Sequence, residues 1–419
     1  MPSPRGRDLV LTLIRSESAE PTMRPTRSLV RAAAVLACLG TPAGSAYAAA
    51  PPPQPVEGPG GMGDKAATIA KKAVGPASAS TYVFHKAGAA PAEGRPVVVF
   101  LHAWGATNPQ AYGTWIDHLA RQGHLVLFPR FQEVNRSKPS DATAKAEDLV
   151  KAALSELSGD AEAKPDPKRL AVIGHLAGAP IAANIAAEAA GKGLPAPKLV
   201  YAIMPGGIAS TPKSRGVPLA DLSTIPAGTM IVAVIGDRDA RAADIAARRI
   251  LREASAVPSE RKLLVRALSD DHGFPALTAT LAAPAGTDSA YDGGAIKLAP
   301  EPKDGPKPPP FKWSAEMALS GEQQTLVAQI NNARTDTLDY LAFWKTFDMA
   351  ATAAFASSEA TVLKNDPRFG DMQRWADGWP VKRLAVETPK PPAPHATPVA
   401  APATQPAKGP AQKQPVRRP

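Results

Sequence analysis

A single cysteine, Cys38, stands in a chain of 419 residues. That scarcity excludes an intrachain disulfide, a cysteine metal site and a thiol nucleophile in the folded middle of the chain. Histidine is sparse too: the seven are scattered, and no two lie two to four residues apart, so no metal site and no bound cofactor are expected. Aromatic residues make up 5% of the chain and do not interleave with basic residues, as a surface that stacks single-stranded nucleic acid would require. The apolar run near the N-terminus is too short to cross a membrane, so no transmembrane segment is expected. Acidic residues are absent after Glu387. The net charge of +10 is therefore partly an end effect of an arginine-bearing leader and a basic tail. The middle is nearer neutral and does not suggest a nucleic-acid partner.

What is abundant is proline, 46 residues in all, clustered at both ends and in one internal stretch. This placement reads as flanks around a globular middle. Residues 1–48 form a leader. Arg24, Arg27 and Arg31 give a basic start, Ala32–Leu39 an apolar core, and Ala46-Tyr47-Ala48 a small-residue cleavage site, the pattern of a secretory signal. Met23 is a candidate true start. Export to the periplasm or beyond is the expected location, with lipid anchoring at Cys38 the lesser alternative. A Pro/Gly linker is expected over 49–65, a folded domain over 66–387, and a Pro/Ala/Lys-rich disordered tail over 388–419. Weak contact of that tail with anionic envelope polymers is the only macromolecular contact its composition suggests, and a solvated spacer is the plainer reading.

Within the domain, Ala66–Val74 reads as a short helix. Ser80–His85, Pro96–Leu101, Leu125–Phe128, Leu170–Ile173, Leu199–Met204, Met230–Ile235 and Leu263–Leu268 read as strands. Helices are expected over Tyr112–Gln122, Asp141–Leu157, Ala177–Ala190, Ala240–Ala254 and Thr337–Ala354. Continuously apolar strands such as VVVFL mark a sheet buried on both faces. Their alternation with helices predicts an α/β fold with a mostly parallel, doubly wound sheet. Ala283–Pro310 reads as an insertion or long loop. The connection from Met204 to Met230 is too short for a large cap domain. Trp344, Trp375 and Trp379 read as C-terminal core.

The most informative stretch is Gly174-His175-Leu176-Ala177-Gly178, between a strand and an alanine-rich helix. Strand, tight turn between two glycines, then helix is the outline of a nucleophile elbow, G-x-S-x-G, but the serine position holds Leu176. Three further pieces follow strand ends: His102-Ala103-Trp104-Gly105, Gly236-Asp237-Arg238-Asp239, and Asp270-Asp271-His272-Gly273-Phe274. His102 reads as a loop-bracing residue and His175 as a packing residue. Asp237 is a candidate helix cap, and Asp239 is either that cap or a functional acid.

With these four pieces in this order, the chain from about Ser80 to Leu384 resembles the α/β-hydrolases of the dienelactone hydrolase, chlorophyllase and cutinase-like lipase group. The resemblance implies that fold and an ester-like small-molecule ligand or substrate. It places Leu176 at the nucleophile position, Asp239 at the acid and His272 at the base. The backbone N–H groups of Trp104 and Ala177 fall at the oxyanion hole, and Ala103 replaces a usual glycine.

In the intact arrangement the base takes a proton from the serine while the acid orients the imidazole. Leucine offers no lone pair. Loss of a triad serine costs about a million-fold in turnover in a protease, and the isobutyl group also enters the space the scissile carbonyl needs. Arg169 to Ala190 holds no substitute nucleophile short of Glu188. Three readings stay open: a pseudoenzyme keeping a ligand or partner pocket, an active ester hydrolase disabled by one base change or a sequence error, and water activation by His272 and Asp239.

Overall fold

The computed structural model describes residues 48–389 except 135, 212–213, 239–240, 302–311 and 319–322. The leader, the tail beyond 389 and Asp239 therefore lie outside the described residues. The strands are β1 (Ile69–Val74), β2 (Thr81–Lys86), β3 (Arg95–Leu101), β4 (Leu125–Pro129), β5 (Pro165–His175), β6 (Leu199–Ile203), β7 (Met230–Ile235), β8 (Lys262–Arg266) and β9 (Ala385–Glu387). They form one sheet in the order β1-β2-β4-β3-β5-β6-β7-β8-β9. The run β4-β3-β5-β6-β7-β8 is parallel, while β1, β2 and β9 join antiparallel. β4, β6 and β7 are buried at every position, as strands covered on both faces by helices should be.

The longer helices are α1 (Gly113–Arg121), α2 (Ala142–Leu157), α3 (Gly178–Lys192), α4 (Arg241–Glu253), α5 (Gln323–Asn331) and α6 (Lys345–Phe355), the last extended by a π-helical segment over Asp339–Trp344. α1 meets the C-terminal helices through an aromatic cluster. Trp115 sits 6.4 Å from Phe343 and 6.5 Å from Phe347, and Tyr201 of β6 lies edge-on to Phe347 at 5.4 Å. The Tyr201 hydroxyl is satisfied by Thr346 and the Phe343 carbonyl, as a buried phenol requires. α2 and α3 pack together elsewhere, Asn184 donating to Thr143 Oγ1 and the Pro218 carbonyl. Asp141 stands at the N-cap of α2, but its carboxylate accepts from Ser140 rather than capping the helix.

Three expectations are corrected. Residues 69–74 are an edge strand rather than a helix: a helix of one or two turns gains few hydrogen bonds, whereas β2 offers a full antiparallel ladder from Ile69↔Lys86 to Val74↔Thr81. The stretch over 49–65 is not a free linker but a strap docked on the domain. The Pro52 carbonyl accepts from Thr337 and Tyr340, and the Gly60 N–H donates to Asp348. His118 Nδ1 donates to the Gly61 carbonyl and its Nε2 lies 2.9 Å from Asp348 Oδ2, while the ring stacks on Trp344 at 5.0 Å. Gly60 is required there, since a Cβ would lie 2.1 Å from the Tyr340 carbonyl oxygen. Finally, Trp344 and Trp375 are core, but Trp379 is 59% exposed.

Glu147 on α2 is buried against α3 beside Lys192 Nζ at 3.1 Å. Burial pushes its pKa up to about 7; neighbouring Glu188 adds to this and Lys192 opposes it. The folded state thus holds this proton more tightly than the unfolded chain. The resulting stability is full below about pH 4.5 and is lost as pH rises through 7. We expect Glu147→Gln to raise stability at pH 8 by on the order of 1–3 kcal/mol and to leave it unchanged near pH 4, as read by denaturant titration at both pH values.

Candidate active site

The elbow is built by close backbone contact. A Cβ on Gly174 would lie 2.2 Å from the Gly178 carbonyl oxygen, and one on Gly178 would lie 2.1 Å from the Leu101 carbonyl oxygen. Only glycine at both positions lets β5 turn directly into α3 against the end of β3. Between them Leu176 has φ 51°, a left-handed conformation that a branched side chain adopts at a cost of about 1–2 kcal/mol. Its N–H donates to the Ile203 carbonyl, and its own carbonyl accepts from Ala179 and Gly206. The side chain is half-buried and reaches towards Gly206.

The loop after β3 faces the start of α3. Among the described residues, no acceptor is hydrogen-bonded to the N–H groups of Trp104 and Ala177, so both donors remain unspent. The loop is held from several sides. Gly105 N–H donates to Gln132 Oε1 at 2.7 Å, and the Trp104 indole donates to the Met317 carbonyl at 3.3 Å. A Cβ on Gly105 would lie 2.7 Å from Val327 of α5. Thus Met317 and α5 pack against this loop.

A buried relay joins loop and elbow. Ala103 N–H donates to the Tyr112 hydroxyl, which donates to His175 Nδ1 at 2.8 Å. His175 Nε2–H then donates to the Leu281 carbonyl at 2.8 Å. Burial pulls the His175 pKa down to about 4, so the ring is neutral and the relay has one consistent proton arrangement. His102 is also fully buried, donates to the Ala103 carbonyl, and stacks on Phe131 at 4.2 Å. Burial pulls it to about 4 as well. Both histidines brace the loops.

The chlorophyllase family profile matches residues 67–235, the part holding the Trp104 loop and the elbow. The fold is that of an α/β-hydrolase. Similar solved structures include carboxyl esterase 2 from the mycorrhizal fungus Tuber melanosporum, at 15% identity and TM-score 0.36, over 49% of this chain and 79% of that one. Esterase LipW from Mycobacterium marinum is 20% identical with TM-score 0.34, over 48% and 71% of the two chains. The hyperthermophilic esterase from the archaeon Pyrobaculum calidifontis is 17% identical with TM-score 0.38, over 48% and 76%. No curated protein matches the chain.

In this α/β-hydrolase fold the elbow, Leu176 with Ala177, and the Trp104 loop come together at the C-terminal ends of β3 and β5. The other two pieces follow β7 and β8. The Asp237 carboxylate accepts from the Ser269 N–H and hydroxyl, tying the end of β8 down. Asp239 lies outside the described residues. His272 is half-exposed, with Nε2 2.7 Å from Asp377 Oδ2 and its ring stacked on Trp379 at 5.4 Å and 14°. Among the described residues no hydrogen bond, ion pair or ring contact joins it to the elbow. The loop that carries it is anchored by Asp270, which accepts from His272 N–H, Lys382 N–H and the Trp375 indole; these partners hold its carboxyl below the ordinary range against the opposing effect of burial.

Sequence reasoning did not single out Tyr112, Gln132 or Asp377. No local motif marks the first two. Asp377 lies in an Asp-Gly-Trp turn that carries no catalytic signal by itself. Gly178→Ala should destabilise the fold by about 3 kcal/mol, since the new methyl group meets backbone and not a movable side chain; thermal unfolding of the variant beside the parent chain measures this.

Proposed function

We propose that this is an exported α/β-hydrolase-fold protein of esterase type that has lost serine hydrolysis and keeps the scaffold to bind an ester-like ligand or a partner. One observation carries the reading. Leu176 occupies the strained turn at φ 51° between two obligatory glycines, beside two unspent N–H donors. The scaffold for acyl transfer is retained and the nucleophile is missing. The leucine bears the elbow's backbone strain with no catalytic return.

The side-chain environment of His272 supports the same reading. A catalytic base must be within hydrogen-bond reach of its nucleophile, and this imidazole is engaged by Asp377 and Trp379 instead. The leader pattern over residues 23–48 supports export, which would deliver a mature chain free of cysteine. Ala46-Tyr47-Ala48 would be its cleavage site.

The test is hydrolysis of a short-chain p-nitrophenyl ester by the purified protein, its Leu176→Ser revertant and its His272→Ala variant. All three are expected at background. Turnover by the parent that His272→Ala abolishes would overturn the reading in favour of water activation. A gain of several orders of magnitude in the revertant alone would identify a recently disabled hydrolase, with base and acid still assembling around position 176.

A further inference from the structure

The sheet carries a second recess, remote from the elbow. β5, β6, β7 and β8 run parallel, so the elbow follows their C-terminal ends while Lys262 opens β8 at the opposite end. There a cavity of about 780 Å³ lies between the C-terminal half of α4, the 255–259 turn, β8 and the residues around β9. Leu251, Val257, Leu264 and Val386 give it apolar walls.

Lys262 lines this cavity and is only 5% exposed. Among the described residues no carboxylate or carbonyl accepts a hydrogen bond from its ammonium, and burial alone lowers its pKa. A cation partly desolvated by burial, with no counter-charge, is costly to the fold. The surroundings aggravate this. Arg248, Arg252 and Lys364 also line the recess, and Glu387, the one carboxylate there, is held by Arg248 at 3.1 Å. Glu253, behind the lining, is engaged by Arg249 and Arg252. The chain beyond the last lining residue, Pro389, contains no aspartate or glutamate, so that segment brings no side-chain anion to Lys262.

We propose that this recess binds an amphiphilic monoanion, a carboxylate on an alkyl chain, with its head on Lys262 and its body along Leu251, Val257, Leu264 and Val386. One buried cation facing apolar walls suits a single anionic head with a hydrocarbon body. A compact inorganic anion would leave those walls wet. The site shares no residue with the elbow and is independent of what the elbow does.

Calorimetric titration of the full chain with decanoate below its micellar range tests the assignment, beside decanol and inorganic phosphate. Saturable one-to-one binding of decanoate is expected, with decanol at least about tenfold weaker and phosphate failing to compete. Lys262→Met should cut decanoate affinity about tenfold and leave decanol affinity unchanged. The exposed Lys364→Glu variant, which leaves the core untouched, should weaken decanoate severalfold and lessen its salt dependence. Equal binding of decanoate by the parent and both variants would overturn the site and place the ligand elsewhere, the elbow included. Absence of binding to the folded parent, equal binding of decanol, or full competition by phosphate would each overturn the proposed ligand class.

Discussion

The contact of α3 with the end of β3 governs this molecule. Backbone meets backbone at Gly178 and Leu101, with no side chain between. That closeness goes with a left-handed turn at residue 176 and sets the start of α3 against the Leu101–His102 backbone. The geometry is set before any chemistry is chosen: whatever stands at 176 is presented at the same place. Here a leucine is presented, and it turns towards Gly206 and the edge of the core. The turn is a demand of the fold itself, independent of the side chain that it presents.

Around this contact the polar groups divide into two kinds. His175 and Tyr112 are sealed in, neutral and hydrogen-bonded at close range, and His102 is sealed in and neutral with Nδ1 bonded to the Ala103 carbonyl, which makes all three struts. His272 sits at the surface on an exposed tryptophan, paired with a carboxylate 105 residues further on. Water reaches that pair, so its electrostatic worth is small. Burial thus separates the histidines that hold the loops from the one whose sequence context resembles a catalyst.

Most of the sheet was legible because it is apolar throughout: VVVFL, MIVAVI and LVYAI admit no reading except strands covered on both faces. The elbow was legible because glycine at both flanks of a strand–helix junction has few other uses. Residues 69–74 misled because Ile-Ala-Lys-Lys-Ala-Val fits either period, and the free edge of β2 decided the matter. Trp379 misled because aromatic content says nothing about which side of a turn a ring takes. The partner of His272 was not legible at all, since Asp377 reaches it only through the tertiary path of the C-terminal segment. The strap over 49–65 was hidden for a related reason. Proline and glycine suggest a spacer, yet proline leaves the carbonyl free to accept, and the Pro52 carbonyl takes two hydroxyls.

The strap also fixes an order of events. Its partners are Thr337, Tyr340, Asp348 and, through the Ala50 carbonyl, Ala376. A segment synthesised early is therefore secured by segments synthesised late. Sequence separations near 288 residues make this the slowest kind of contact to close. Until it closes, His118 of α1 lacks its bond to the Gly61 carbonyl. A chain that folds as it emerges N-terminus first would carry this strap unpaired until nearly all of the domain had followed. Closure of the strap and completion of the domain then become one event.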